Sequence, residues 1–316
     1  KFITESGCYA SISNSSTEQC ETLTARSLST QGQVRIYSDG TTSDSKLNTG
    51  EVVTAVIESG DSAQFDVSGD ATCALYASDT MSCYGDNAYG VLGDGTRTDR
   101  TNLVDVLFPT GSGTPSSVAM HDRNNPKTIC TLMDDGDVYC WGDSSYIGIP
   151  NACTLYASHC SGGSLLRPIA ALNFGSTDSP VSSIESNPSS DPASCAVHED
   201  GTASCWGNND YGRLGNGYIG NFGSSPTQVV MPEAAADILS IEMPYTMTCA
   251  LTIDGEVYCW GYNGDKGRLG DGTTCPSGSF ENNCNGDLRK PIAYSPVVLP
   301  TGTTAVSLFS LDEYDV

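Results

Sequence analysis

CALTIDGEVYCWGYNGDKGRLGDGT, residues 249–273, is the stretch on which the reading of this chain turns. Cys249 and Cys259 stand ten apart around an Asp-Gly step, and Trp260-Gly261 follows at once. Alone, the two cysteines fit a metal site, a reactive thiol pair or a covalent staple. Recurrence separates these options, because a missed repeat misassigns a whole fold. Three relatives exist: CAVHEDGTASC at 195–205, CTLMDDGDVYC at 130–140 and CALYASDTMSC at 73–83. Trp206-Gly207, Trp141-Gly142 and Tyr84-Gly85 follow them, so all three tryptophans of the protein share one position. Successive first cysteines lie 57, 65 and 54 residues apart.

A short apolar segment precedes each copy: Val52–Ile57, Ser117–Met120, Val181–Ile184 and Ile238–Ile241. Each unit therefore reads as three or four short strands, too small to bury both faces of its sheet without neighbours. If Cys249 faces Cys259, then Ala250 faces Tyr258, Leu251 faces Val257 and Thr252 faces Glu256. The remaining loop, Ile253-Asp254-Gly255, has three residues, and such loops place a left-handed residue third. Gly255, Gly136 and Gly201 fall there, with Asp79 in the fourth copy. A two-residue loop would put the cysteines on opposite faces. Turn chemistry and disulfide pairing thus select the same register, giving Cys73–Cys83, Cys130–Cys140, Cys195–Cys205 and Cys249–Cys259. Zinc sites favour two to four residues between paired ligands, often with histidine, so nine intervening residues fit a metal poorly. Trp260 then points away from the Cys259 face, and Gly267, Leu269 and Gly270 form a turn that buries one leucine, as packing between sheets requires.

The remaining composition agrees. Thirty-four glycines, fifteen prolines and few charged residues favour short strands with many reversals. Only Glu233–Ile238 leans towards a helix. Fourteen cysteines beside three histidines favour disulfides and an oxidising compartment. The expected localisation is secreted and extracellular, with a signal peptide already removed before Lys1. A net charge of −24 repels phosphate backbones, which argues against nucleic acid. No window is apolar over a length that would span a bilayer.

The run C-A-L-x-x-D-G-x-V-x-C-W-G-x-N-x-x-G-x-L-G-D-G-T resembles the regulator-of-chromosome-condensation repeat, in the cysteine-paired form of secreted bacterial proteins. The resemblance covers residues 52 to about 300. It implies an all-β fold, a β-propeller with one four-stranded blade per repeat. The family usually has seven blades, whereas this chain gives about five: a degenerate repeat over 1–51, then 52–110, 117–173, 181–232 and 238–300. The degenerate copy pairs Cys8 with Cys20, twelve apart, and its Ser38-Asp39-Gly40-Thr41-Thr42 echoes Gly270–Thr274. Residues 301–316 begin or complete a further blade, by closing onto the N-terminus or by adding to another molecule head to tail. The founding member's nucleotide-exchange activity is not expected to carry over to an acidic, disulfide-bonded chain. A secreted β-lactamase inhibitor among the repeat's relatives implies that the fold also serves as a binding disc.

No nucleophile elbow, H-E-x-x-H, P-loop or dinucleotide fingerprint occurs, so the chain is read as a non-enzyme without a resident cofactor. His198 reads as an exposed turn histidine, and His121 and His159 as loop residues. Calcium is the one metal suggested, through Asp134, Asp135 and Asp137 and through Asp94 and Asp99, although aspartate caps turns for its own reasons. Two insertions follow the leucine-glycine turn, each with a local cysteine pair, Cys153–Cys160 and Cys275–Cys284. Both should decorate one rim, where Tyr156 and Phe280 are candidate contacts. Asn14 is the one glycosylation sequon. The leading expectation is an extracellular structural, adhesive or assembly protein whose partner is a protein or a second copy of itself. A monomeric lectin or protein inhibitor is the alternative, with carbohydrate as a further ligand class, and a channel-sited hydrolase is third.

Overall fold

A ten-residue cysteine spacing around a glycine loop folds here as one hairpin, repeated along the chain. The computed structural model describes residues 45–46, 52–53, 64–68, 71–76, 80–120, 127–175, 179–187, 192–220, 223–264, 266–275, 289–290 and 295–308. Strands β1 (Ser45–Lys46) and β2 (Val52–Val53) pair with each other. The first full sheet is β3 (Gln64–Ser68), β4 (Ala71–Leu75), β5 (Met81–Gly85) and β6 (Arg100–Asp105), hydrogen-bonded in chain order. The second holds β7 (Pro115–Met120), β8 (Thr128–Met133) and β9 (Val138–Asp143), then β10 (Cys160–Ser161) and β11 (Ser164–Leu165), with β11 against β9. The third is β12 (Val181–Ser186), β13 (Ala193–His198), β14 (Ala203–Gly207) and β15 (Gly223–Gln228). The fourth is β16 (Ile238–Glu242), β17 (Met247–Thr252), β18 (Val257–Tyr262) and β19 (Arg289–Lys290).

The pairings among the described residues are antiparallel, and the first, third and fourth sheets are up-and-down blades in chain order, while in the second β11 lies between β9 and β10. The two middle strands of a blade are covered on both faces, so they read as unbroken runs of apolar and small residues. β8 and β13 are buried at every position. The outer strands β6 and β15 are half-exposed and polar.

Cys249 lies opposite Cys259, Ala250 opposite Tyr258 and Leu251 opposite Val257. The Thr252 amide donates to the Glu256 carbonyl, closing the three-residue loop. Gly255, Gly136 and Gly201 have φ of 84°, 87° and 78°, the left-handed region this loop demands. Asp79 lies outside the described residues.

Three expectations change. The strand before Cys73 is Gln64–Ser68, which pairs with Ala71–Leu75, whereas Val52–Val53 pairs with Ser45–Lys46. Two residues separate β3 from β4, against seven between β7 and β8. The strand therefore sits downstream of where the repeat spacing puts it. Glu233–Ile238 forms a turn and then enters β16, because its six residues are too few to sustain a helix without packing. The helix that does form, α1 (Ala152–Leu155), lies inside the Cys153–Cys160 insertion, followed by a 3₁₀ turn at Ala157–His159.

Candidate interaction surface

Each blade is joined to the next by the same contacts, and these decide which side chains remain outside. Trp141, Trp206 and Trp260 are fully buried. The Trp141 indole donates to the Val91 carbonyl of the preceding blade at 2.7 Å, and Trp260 to the Arg213 carbonyl at 2.8 Å. Both acceptors directly precede the buried leucine, Leu92 or Leu214. Trp206 Nε1 finds no acceptor among the described residues. The preceding blade there reads Tyr146-Ile147-Gly148, without the Gly-x-Leu-Gly spacing of its sisters. The glycine after each aromatic has φ between 95° and 115°. A Cβ on Gly261 would lie 2.8 Å from the Thr246 carbonyl, and one on Gly142 or Gly207 would strike Lys127 or Pro192.

Buried asparagines hold the leucine turn. Asn87 Oδ1 accepts from the Leu92 amide, Asn209 from Leu214 and Asn263 from Leu269, at 3.0–3.1 Å. Their amide groups donate to the loop beyond, at Thr98, Tyr218 and Thr273. Sequence reasoning gave these residues no role. The signal was present in the recurring asparagine three places after the aromatic, since a polar side chain fixed in a repeat core must be bonded.

The acidic candidates are engaged in turns. Asp94 accepts from Thr96 and Asn87 and forms an ion pair with Arg100 at 2.6 Å. Burial opposes its ionisation, but the bonds from Thr96 and Arg100 outweigh that and hold the carboxyl below the usual range. Asp99 accepts from the Asn87 amide. Asp134 accepts from the Thr114 amide, and hydrogen bonding to the Thr114 side chain and backbone lowers its pKa; Asp135 accepts from the Asp137 amide. Desolvation and the adjacent Asp135 carboxylate push Asp137 up. Asp94 and Asp99 thus lie in one blade's turn and Asp134, Asp135 and Asp137 in a hairpin loop of the next. Among the described residues no three His, Cys, Asp or Glu side chains form a group that could hold a metal ion.

His198 is a correction. It is buried, with Nδ1 3.2 Å from the Ser179 carbonyl and Nε2 3.0 Å from Ser204 Oγ, and Phe174 packs edge-on against its ring. It ends β13 on the inward face, where the hairpin of the repeat turns it under the chain at Ser179. His159 is half-buried in the 3₁₀ turn, and His121 lies outside the described residues.

Disulfides join Cys73 to Cys83, Cys130 to Cys140, Cys195 to Cys205 and Cys249 to Cys259, each with Cα atoms 4.1 Å apart. Cys153 bonds Cys160 across the insertion. Cys275 is buried and disulfide-bonded, while Cys284, Phe280, Cys8, Cys20 and Asn14 lie outside the described residues. Tyr156 is half-buried and packs on the core, so the outward apolar residue of that loop is its neighbour Leu155, 65% exposed. Tyr218, at the equivalent rim of the next blade, is 73% exposed. The loop is seated on the blade before it: Gly95 donates to the Leu166 carbonyl, and Arg97 lies against Gly162.

Comparisons place this geometry. The Regulator of chromosome condensation (RCC1) repeat family matches residues 193–213 and 247–267. The E3 ubiquitin-protein ligase HERC2 of Mus musculus is 31% identical over 142 residues, 45% of this chain and 3% of HERC2, and that of Homo sapiens matches equally. Human WBSCR16 superimposes with a TM-score of 0.58 at 18% identity, over 81% of this chain and 59% of that one. Prp20p of Saccharomyces cerevisiae gives 0.57 at 18%, over 85% and 61%. The chain thus spans a small fraction of HERC2 and about three fifths of the solved structures. The chain has the β-propeller fold, and two of its repeats match the RCC1 repeat; at this identity the structural likeness is one of fold.

Proposed function

We propose that this chain is a non-enzymatic protein-binding propeller that acts outside the cell, as a structural, adhesive or assembly component. The observation that carries the reading is where the polar side chains go. The asparagines, turn aspartates and His198 that chemistry could recruit are bonded within and between blades. What faces outward is a stapled rim loop with Leu155, a neighbouring Tyr218 and an acidic surface. Rigid scaffolds with such loops work by recognition. The protein-binding reading is supported by the RCC1-type fold, since the structurally similar Prp20p of Saccharomyces cerevisiae has binding properties towards Gsp1p and histones. The extracellular reading is supported by the in-register disulfides, which persist in oxidising compartments.

The test is recovery of the native protein. Material from the cell surface or medium with every cysteine oxidised by thiol titration is expected. Cytosolic material with free thiols would refute the extracellular reading. A monomeric lectin or inhibitor remains the alternative for the same rim, and glycan-array binding lost on Leu155→Ser or Tyr218→Ser would favour it.

A further inference from the structure

The fourth blade departs from the second and third at two positions where the fold makes the same demand. The first residue of each hairpin loop donates its amide to the chain entering the blade: Asp134 to the Thr114 carbonyl, Glu199 to Pro180 and Ile253 to Asp237, at 2.8–2.9 Å. Two residues beyond each acceptor the innermost strand carries one extra residue, marked by the register shifts Pro115/Ser117, Val181/Ser183 and Ile238/Ser240. That residue is Ser116, Ser182 or Leu239. Both serine hydroxyls donate back to the neighbouring strand, to the Leu132 and Val197 carbonyls at 3.0 Å. All six side chains are exposed. The second and third blades thus place a carboxylate and a hydroxyl here, and the fourth places Ile253 and Leu239, 63% and 55% exposed.

The fold does not require the exchange, since the same loop closes in all three blades. Single apolar residues on a surface are ordinary, but these two are neighbours. Leu239 and Ile253 lie diagonally across the pair Ile238–Thr252, within reach of one contacting group. Ile238 and Thr252 are themselves buried, so the exposed pair stands on the outer side. Its surroundings are acidic. Asp237 lies against Gly201, in the loop that holds Glu199 and Asp200, and Asp254 follows Ile253 directly. These four carboxylates are exposed, and Asp237 and Glu199 make no ion pair among the described residues. From residue 168 to 265 the sequence holds twelve Asp and Glu residues and one cation, Arg213, which is buried.

We propose that Leu239 and Ile253 are the apolar centre of a protein-binding surface whose partner is a basic segment, one bulky apolar side chain flanked by lysine or arginine. Charge complementarity selects this occupant. The apolar pair is removed from water under the partner's apolar side chain, and the carboxylates around it meet cations at a polar rim. A second copy of the chain carries net charge −24 and is repelled, as is an anionic lipid surface. The surface is separate from the Cys153–Cys160 loop: hairpin loops precede the third strand of a blade, and the insertion follows β9, at the other end. The inference rests on the protein-binding part of the proposed function and adds to it a second surface and the chemistry of its partner.

The probe is a random peptide display library, panned in parallel on the full chain, on Leu239→Ser/Ile253→Glu and on Leu155→Ser/Tyr218→Ser. The first variant installs the residues of the third blade at the same two positions, so the repeat itself accepts them, and thermal denaturation checks that it folds. Peptides selected by the wild type and by the Leu155/Tyr218 variant, but lost on the first variant, are expected to join a bulky apolar residue to lysines or arginines. A synthetic copy should bind the first variant about tenfold more weakly, and weaken with salt. The variant adds a carboxylate, so binding that survives or rises there shows attraction by charge alone and overturns the proposal. Peptides that depend on Leu239 and Ile253 but are acidic or uncharged overturn it too. So does a dimer of the unbound chain, or binding to phosphatidylcholine vesicles, that the first variant abolishes. Peptides lost only on the Leu155/Tyr218 variant overturn this surface and leave the protein-binding reading standing; no selected peptide at all overturns both.

Discussion

Trp260→Phe and Trp206→Phe should differ sharply, although both replace a fully buried indole in the same place of the repeat. Shrinking indole to phenyl removes roughly 40 Å² of buried apolar area, about 1 kcal/mol at ~25 cal/mol/Å². Trp260 also loses its bond to the Arg213 carbonyl, a net contribution of about 1 kcal/mol. That carbonyl keeps the Thr248 hydroxyl, so no acceptor is orphaned and the total is about 2 kcal/mol. Trp206 has no such bond to lose. Its buried indole N–H stands unpaired among the described residues, at a cost of about 1–3 kcal/mol that phenylalanine removes. Trp206→Phe is therefore expected to be neutral or stabilising. For a chain of this size the gap of about 2–4 kcal/mol corresponds to about 3–6 °C in Tm, readable by calorimetry or denaturant titration with the disulfides intact. Trp141→Phe should cost more than Trp260→Phe, because among the described residues the buried Val91 carbonyl has no second donor to replace the indole. Equal losses for all three would refute the argument that the carbonyl before the buried leucine receives the indole.

Three further outcomes follow from the same geometry. Gly207→Ala places a Cβ against the Pro192 carbonyl at φ 95° and should destabilise by about 1–3 kcal/mol, whereas Gly163→Ala, also at positive φ but with open space around it, should destabilise less; chemical denaturation compares them. Asn209→Leu orphans the Leu214 amide and the Tyr218 carbonyl and should lower stability by roughly 2 kcal/mol, with exchange at the Leu214 amide accelerated. Tyr258 ionises at about 12, raised by burial and by its bond to Glu256. A raised tyrosine pKa adds stability below the ordinary value of about 10, lost as pH climbs towards 12. Spectrophotometric titration should show a late step that Tyr258→Phe removes. At the acid end the sign reverses: Asp94, Asp200 and Asp254 titrate below their ordinary range, so their contribution is present above about pH 4 and lost as pH falls through the lowered values.

The hairpins were legible because two independent local constraints coincide in them. A loop of three residues ending in a left-handed glycine and a pair of cysteines on one face admit the same register, and both are written within eleven residues. The Gly-x-Leu-Gly turn was legible for the same reason. The asparagines at 87, 209 and 263 were visible as a recurring letter, yet their role depends on amides five or six residues away that only a closed turn brings near. His198 misled because position within a hairpin says which strand end a residue occupies and nothing about what lies over it. Here Ser179, from the connection entering β12, lies over it. Tyr156 misled likewise: α1 and the 3₁₀ turn rotate it onto the core and leave Leu155 outside.

By itself the sequence determined the repeat, the hairpin register, the class of fold and the surplus of negative charge, since all of these follow from spacing, turn chemistry and composition along one strand pair. Tertiary structure decided which strand covers Cys73 and which indole finds an acceptor. Those outcomes belong to contacts between successive blades. The same local motif bonds its indole at Trp141 and Trp260 and leaves it without an acceptor among the described residues at Trp206, and the difference lies in what packs against it.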